Sequence, residues 1–544
     1  MSRTALLASF FLVASVLGND IEIHGSGTTN PSKCYWHIMD SVMDRLRVPV
    51  SMTYRAVGSG VGIKEFMGLE ADGYSPINHF GSGDIPLSTD QYNLITTGSD
   101  GSDPSELYHV PVVLGAITLF HNIPGVEAGP QGLNMTGCLI ARVFSRKITD
   151  WLDDEITASN PNLKELIGDR ATDGKFPITV IRRRLGSSST KSMTQYMNDE
   201  CSGEWPSNMV GKGGVDDNAL PWHEDTVPCE GSGGVTKCIN DKPGAIGYLD
   251  AGHGISQGLK EIELLNKDGN FVSFSTATEQ GGLGTAAANA QGLPANAGDD
   301  FGKINLINQA GEYTWPVTAM SYIYVRKDWT KLSLTEEQQG LLYAFLTTVT
   351  NPDYDYIQPC EELFGFYAAY KNPKLAAFQQ EALDGIIVTG DAKSLFTFEK
   401  STDDYDGHGK YTISAKRRSY AEYERSQLQK LVTGLEGKYE QVSIAAKQKE
   451  YDTLLSEMRG SVDQARIAAN EAKTFTSADS MQIMIALIMS GASLALWVLF
   501  LLKTLFCSSK KENDSPVPTT NGSAKPRAPK REQPVDDDDD ADMV

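Results

Sequence analysis

Four times between Gly25 and Met197 the chain gathers glycine or small residues beside hydroxyls in one short run. The runs are GSGTTNP (Gly25–Pro31), VGSGVGIKEF (Val57–Phe66), FGSGDIPLS (Phe80–Ser88) and RRRLGSSSTKSMTQYM (Arg182–Met197). Three of them lead into a helix-start pattern. Strand patterns such as VPVSMTYRAV (Val48–Val57) and FPITVIRR (Phe176–Arg183) alternate with helical ones such as LTEEQQGLLYAFLTTVT (Leu334–Thr350). This alternation predicts an α/β fold with a largely parallel sheet, in which turns link strand ends to helix starts. The glycine-rich run Ala277–Asp300 reads as an alanine-rich helix closed by glycine.

Backbone N–H groups at helix N-termini carry partial positive charge, so several converging on one point form an anion site without needing net charge. Any single run is better explained as a helix cap; four together point to a shared ligand. The spacing of GSSSTKS fails the nucleotide P-loop pattern, which excludes an NTPase of that kind. The arginines Arg182–Arg184 close a strand three residues before the hydroxyl run, and a guanidinium fork suits phosphate oxygens. Strand alternation turns only some of the three inward. Asp84 is the odd member, since a carboxylate repels an anion. An ionised carboxylate only accepts hydrogen bonds, so it welcomes a protonated phosphate and rejects fully ionised sulfate.

Composition narrows the partners. A net charge of −22 argues against nucleic acid, whose phosphates the surface would repel. Residues 1–18, with Arg3 and an apolar run from Ala5 to Leu17, read as a signal peptide. Residues 480–502 carry no charge and are long enough to span a bilayer, with Lys503, Lys510 and Lys511 following. The expected topology is single-pass type I, at the cell surface, with the N-terminal domain outside. Six of the seven cysteines, Cys34, Cys138, Cys201, Cys229, Cys238 and Cys360, then fall on the oxidising side and suffice for three disulfides. Their pairing is not legible, although Cys201, Cys229 and Cys238 lie close enough for one local bridge. Asn134, in NMT, is the outward-facing glycosylation candidate. Residues 411–478 read as a helical stalk or coiled coil, a route to homo-oligomers, and 503–544 as a disordered cytoplasmic tail.

The four runs, in this order, resemble those of the phosphate-binding proteins of ABC transporters, in the type II periplasmic-binding-protein superfamily. The resemblance extends over Ile21–Val388 through VPVVLGAITLFHNIPG, ARVFSRKITDW, INDKPGAIGYLDAG and WPVTAMSYIYVRKD. It implies a two-lobed α/β domain over residues 19–400. Lobe 1 would comprise about 20–112 and 245–390 and lobe 2 about 113–244, with crossovers near Val110–Val113 and Pro243–Tyr248. The family's phosphate ligands fall on Thr29, Asn30, Ser59, Asp84, Arg183, Ser187, Ser188 and Ser189. An aromatic residue commonly stands at the position of Asn30, and an acidic residue usually steadies the arginine from the position of Leu185. The resemblance implies binding of inorganic phosphate for capture, sensing or delivery to a separate transporter or signalling partner, with no catalytic residue, metal or cofactor. A phosphomonoesterase on the same scaffold and a stalked adhesion protein are the competing readings.

Overall fold

The structure is a computed structural model that describes residues 21–68, 78–98, 104–127, 132–213, 220–354, 356–399, 409–428, 430–431, 456 and 458–464. Contacts divide the chain into two units, Met1–Glu424 and Arg425–Val544. In the second, every described residue is helical. The expected signal peptide, membrane span, cytoplasmic tail and most of the stalk lie outside the described residues. Among the described residues no helix is long and apolar enough to cross a membrane.

The first unit opens with β1 (Ile21–Gly27), β2 (Val50–Ala56) and β3 (Phe80–Gly83), followed by the 16-residue β4 (Leu107–Asn122). Next come β5 (Leu133–Met135), β6 (Thr179–Arg183), β7 (Val227–Cys229), β8 (Ala245–Asp250), β9 (Lys260–Leu265) and β10 (Phe271–Val272). The chain returns through β11 (Thr318–Arg326) and β12 (Tyr367–Ala368), and ends in the pair β13 (Thr397–Glu399) and β14 (Thr412–Ser414). The main order is β2-β1-β3-β11-β4-β8-β6-β7.

Both ends of this path are parallel, β2-β1-β3 and β8-β6-β7, whereas β11 and β4 pair antiparallel in the middle. β4 serves two sheets: Leu107–Ala116 pair with β11, and Ile117–Asn122 pair with β8. The passage between lobes is therefore at Ala116–Ile117, not at Val110–Val113. Nor is Pro243–Tyr248 the return, because β8 sits between β4 and β6 with every residue buried. Pairing with the first sheet resumes only at Thr318, opposite Ala116. The expected stalk start at residue 411 also moves, since Thr412–Ser414 pair in parallel with Thr397–Glu399 inside the first unit.

Local chemistry accounts for the elements. The helix Glu336–Thr350 begins at a capping box of Thr335 and Gln338, which satisfies two otherwise orphaned N–H groups. The alanine-rich run holds the end of one helix, Phe274–Glu279, and a second short one, Gly282–Ala288, and the glycine- and proline-bearing remainder follows as irregular chain. The helix Ser59–Met67 lies close on β1 because Gly62 has no side chain: a Cβ there would sit 2.3 Å from the Gly27 Cα. Its N-cap, Gly58, has φ 93°, a left-handed conformation that suits glycine. The register of β11 on β4 shifts between Ser321 and Tyr322, opposite Val113 and Pro111, and such bulges re-aim side chains.

Three disulfides tie these elements together: Cys34–Cys360, Cys138–Cys201 and the local Cys229–Cys238. The last holds β7 to the helix Gly231–Asn240, which covers the second sheet through Val235 and Ile239 against Ile181 and Leu249. Asn134 lies half-buried in β5, its backbone paired with the Asn160 side chain.

Candidate functional site

The carboxyl ends of β1, β3, β6 and β8 meet, as ligand crevices of α/β sheets do. After β1, the turn Thr28–Asn30 leads into the helix Ser32–Arg45, whose N-cap is Pro31. β3 ends at Gly83, directly before Asp84, and β6 ends at Arg183, ahead of the helix Ser188–Cys201. β8 ends at Asp250, which caps the helix Ala251–Ser256 by accepting from the His253 N–H at 3.0 Å.

Asp84 is the hub and is 5% exposed. Its Oδ2 accepts from the Thr28 hydroxyl and from the Ser188 hydroxyl at 3.0 Å. Its Oδ1 accepts from the Ser321 hydroxyl at 2.6 Å and from Asn30 Nδ2 at 3.5 Å. A carboxylate offers about four lone-pair sites, and each has a donor. Burial pushes this carboxyl above the usual range, and the Ser321, Thr28 and Ser188 hydroxyls pull it back. The Asp84 N–H donates to Ser59 Oγ at 3.3 Å, and the Ser59 hydroxyl donates to Ser188 Oγ at 3.2 Å.

Arg183 is in the opposite condition. Its side chain is buried, no carboxylate lies within 4.0 Å of it among the described residues, and its Nε has no hydrogen-bond partner. Burial lowers its basicity, opposed by the fields of Tyr248, Asp250 and Asp84. The position usually filled by a steadying acid is the half-buried Leu185. Asp250 supplies negative charge from another strand, and its Oδ2 accepts from the Ser232 hydroxyl at 2.7 Å. The flanking arginines face elsewhere. Arg182 stacks over Trp222 at 5.5 Å, and Arg184 lies 3.7 Å from Glu230.

Of the expected residues, Asn30, Ser59, Asp84 and Ser188 are joined in one hydrogen-bonded cluster. Thr29 sits at its edge, half-buried, with its hydroxyl 3.3 Å from Ser232 Oγ. Ser187 is the N-cap of the helix Ser188–Cys201, accepting from the Ser189 N–H at 3.2 Å, and Ser189 is buried in its first turn. Sequence reasoning missed Thr28, Ser321, Ser232 and Asp250. Ser321 had a signal: it is the one serine in the otherwise apolar and aromatic core of the strand TAMSYIYV. Asp250 had another, an acid closing the apolar strand AIGYLD before the small pair Ala251 and Gly252.

The contacts Ser188–Asp84, Ser59–Ser188 and Thr29–Ser232 bridge elements of the two sheets, so the cluster lies between lobes. A buried, uncompensated guanidinium amid hydroxyls and helix N-termini is suited to hold an anion.

Comparison with known proteins agrees with this architecture. A family model described as a PBP superfamily domain matches residues 13–353. The phosphate-binding protein PstS of Xylella fastidiosa strain 9a5c is 29% identical over 276 residues, which cover 51% of this chain and 64% of that protein. The chain thus spans less than two thirds of that relative's length. The phosphate-binding protein PstS of Pasteurella multocida is 28% identical over 336 residues, 61% of this chain and 84% of that one. A crystal structure titled as a phosphate binding protein from Stenotrophomonas maltophilia superposes with a TM-score of 0.50 at 16% identity. It covers 68% of this chain and 97% of its own. With the family match extending over more than half of its length, the chain belongs to the PBP superfamily.

Proposed function

We propose that the protein binds inorganic phosphate, as hydrogen phosphate, in the cleft between its lobes. The observation that carries this reading is Arg183, a buried guanidinium without an ion pair whose Nε is unpartnered and which lies in the field of Asp84. A buried charge of this kind costs several kcal/mol, and a bound anion offsets that cost. Thr29, Asn30, Ser59, Ser187, Ser188 and Ser189 contribute hydroxyl and backbone donors, and Asp84 accepts a hydrogen bond from the ligand's P–OH group. Because all four acceptor positions of Asp84 are occupied, a P–OH group reaches Oδ2 by displacing the Ser188 hydroxyl, which then turns to a phosphate oxygen. Ser188 comes from the second lobe, so this exchange couples ligand capture to lobe contact.

The protein acts as a binding module, presenting phosphate to a separate transporter or sensing it. The names of the Xylella and Pasteurella relatives support the phosphate binding on which this role rests. In this scheme the domain faces the cell exterior on a single-pass anchor, and the part of the expected stalk that follows Ser414, up to residue 478, provides the contact between copies.

Calorimetry of the full-length chain with phosphate, arsenate, sulfate and molybdate tests the proposal. Phosphate and arsenate should bind, and sulfate should not. Asp84→Asn should weaken phosphate by about 10- to 150-fold, the equivalent of a charged hydrogen bond of about 1.5–3 kcal/mol, while admitting sulfate. Absence of anion binding refutes the assignment, and wild-type binding of sulfate refutes the role given to Asp84.

A further inference from the structure

Next to the hydroxyl cluster lies a second space. A cavity of about 270 Å³ begins at Asp84 and is walled by Ser192 and Gln195 on one side and by Asn305, Met320 and Tyr322 on the other. The helix Ser188–Cys201 serves both spaces. Its first turn places Ser188 on Asp84, and its following turns place Ser192 and Gln195 along the cavity. β11 does likewise, with Ser321 on Asp84 and its neighbours Met320 and Tyr322 on the cavity wall.

Two properties of this space point to an organic, hydroxyl-bearing group. The volume equals roughly nine waters at about 30 Å³ each, room for a three- to five-carbon polyol and just under the ~300 Å³ lower end of drug-sized sites. The wall is mixed, with amide and hydroxyl groups beside the Met320 thioether. In addition, the Tyr322 hydroxyl is buried and has no hydrogen-bond partner, in a residue only 1% exposed. A buried phenol left unpaired is unfavourable, and a small shift of the cavity wall that opens the Tyr322 hydroxyl to the space lets a ligand hydroxyl supply the bond.

We propose that the cleft accepts phosphate monoesters of small polyols as well as inorganic phosphate, with the phosphoryl group at Asp84 and Arg183 and the polyol in the cavity. This rests on the phosphate reading above. The ester oxygen points along the cavity, and the singly protonated monoester keeps one P–OH for Asp84. That species is well populated near pH 6, close to the second ionisation of a phosphate monoester.

The experiment is calorimetry of the full-length chain at about pH 6 with inorganic phosphate, glycerol 3-phosphate and glycerol. Both phosphates should bind and glycerol should not. Gln195→Trp, which fills the cavity from the half-buried helix face, should weaken glycerol 3-phosphate at least about tenfold and leave inorganic phosphate within about threefold. Tyr322→Phe preserves shape and removes the hydroxyl, and should weaken the ester alone by about fivefold. Binding of phosphate without the ester overturns this inference and leaves the phosphate assignment standing; binding of neither overturns both. An ester affinity unmoved by both substitutions, or equal loss of both ligands in each, also overturns it.

Discussion

Asp84 and Arg183 are both buried charges, and they are treated in opposite ways. Asp84 has a donor at every acceptor position, whereas Arg183 has an unpartnered Nε and its burial is opposed only by the fields of Tyr248, Asp250 and Asp84. In the free protein the arginine therefore costs stability, and the proposed anion binding would account for that cost as a trade at a binding site. Arg183→Met, apolar and unbranched, should raise the urea midpoint of the ligand-free chain by the equivalent of about 1–4 kcal/mol, the range for replacing buried charges by apolar groups. The same variant should lose the further stabilisation that saturating phosphate gives the wild type, about 2.7 kcal/mol at a hundredfold excess over Kd. A variant less stable than wild type without ligand would show that Arg183 is held by contacts other than those described.

At the level of elements, the site depends on how closely strand ends and helix starts approach. Gly62→Ala places a methyl group 2.3 Å from the Gly27 Cα and 3.0 Å from the Ser82 carbonyl oxygen, both backbone atoms that cannot swing aside. Overpacking of this kind costs about 1–3 kcal/mol. It would also push the helix Ser59–Met67 from β1, moving Ser59 off the Asp84 N–H, so phosphate affinity should fall with stability in the same denaturation and calorimetry series. The sequence made these junctions visible, because glycine beside hydroxyl marks a tight strand-to-helix turn wherever it occurs. It did not reveal which neighbour turns inward. Thr28 and Thr29 are chemically identical, and Thr28 reaches Asp84 while Thr29 meets Ser232. Arg183 could not be separated from Arg182 and Arg184 without knowing the register of β6. Ser321 and Asp250 come from strands 237 and 166 residues from Asp84, brought in by pairing that no local pattern encodes. The lobe boundary failed for a related reason: a single strand, β4, belongs to both sheets, and its apolar run has no break where one sheet gives way to the other.

The whole molecule is held across the lobes by β4, and β4 carries two buried histidines. His109 accepts from the Leu87 N–H at 3.1 Å and packs against Phe301, Tyr322 and Tyr324; burial lowers its pKa to about 3, opposed by the field of Asp300. His121 accepts from the Ile123 N–H at 3.1 Å, and burial, with a contribution from Lys260, also lowers its pKa to about 3. Both are neutral in the folded chain, whereas in the unfolded chain they take up protons below about pH 6.5. The unfolded state then binds more protons, so this contribution is fully present above pH 6.5 and is lost as pH falls toward 3. Each histidine adds a slope of about 1.4 kcal/mol per pH unit. Carboxylates lower stability in the same direction, so the difference between wild type and a variant isolates the histidine. His109→Gln, whose amide oxygen can still accept from the Leu87 N–H, should be less stable than wild type at pH 7.5 through poorer packing. Its urea-derived stability should then fall less steeply between pH 6 and pH 4.5, by about one histidine's slope. Parallel curves across that range would mean that His109 protonates in the folded protein, and that the strand joining the two lobes opens to water far more readily than its burial implies.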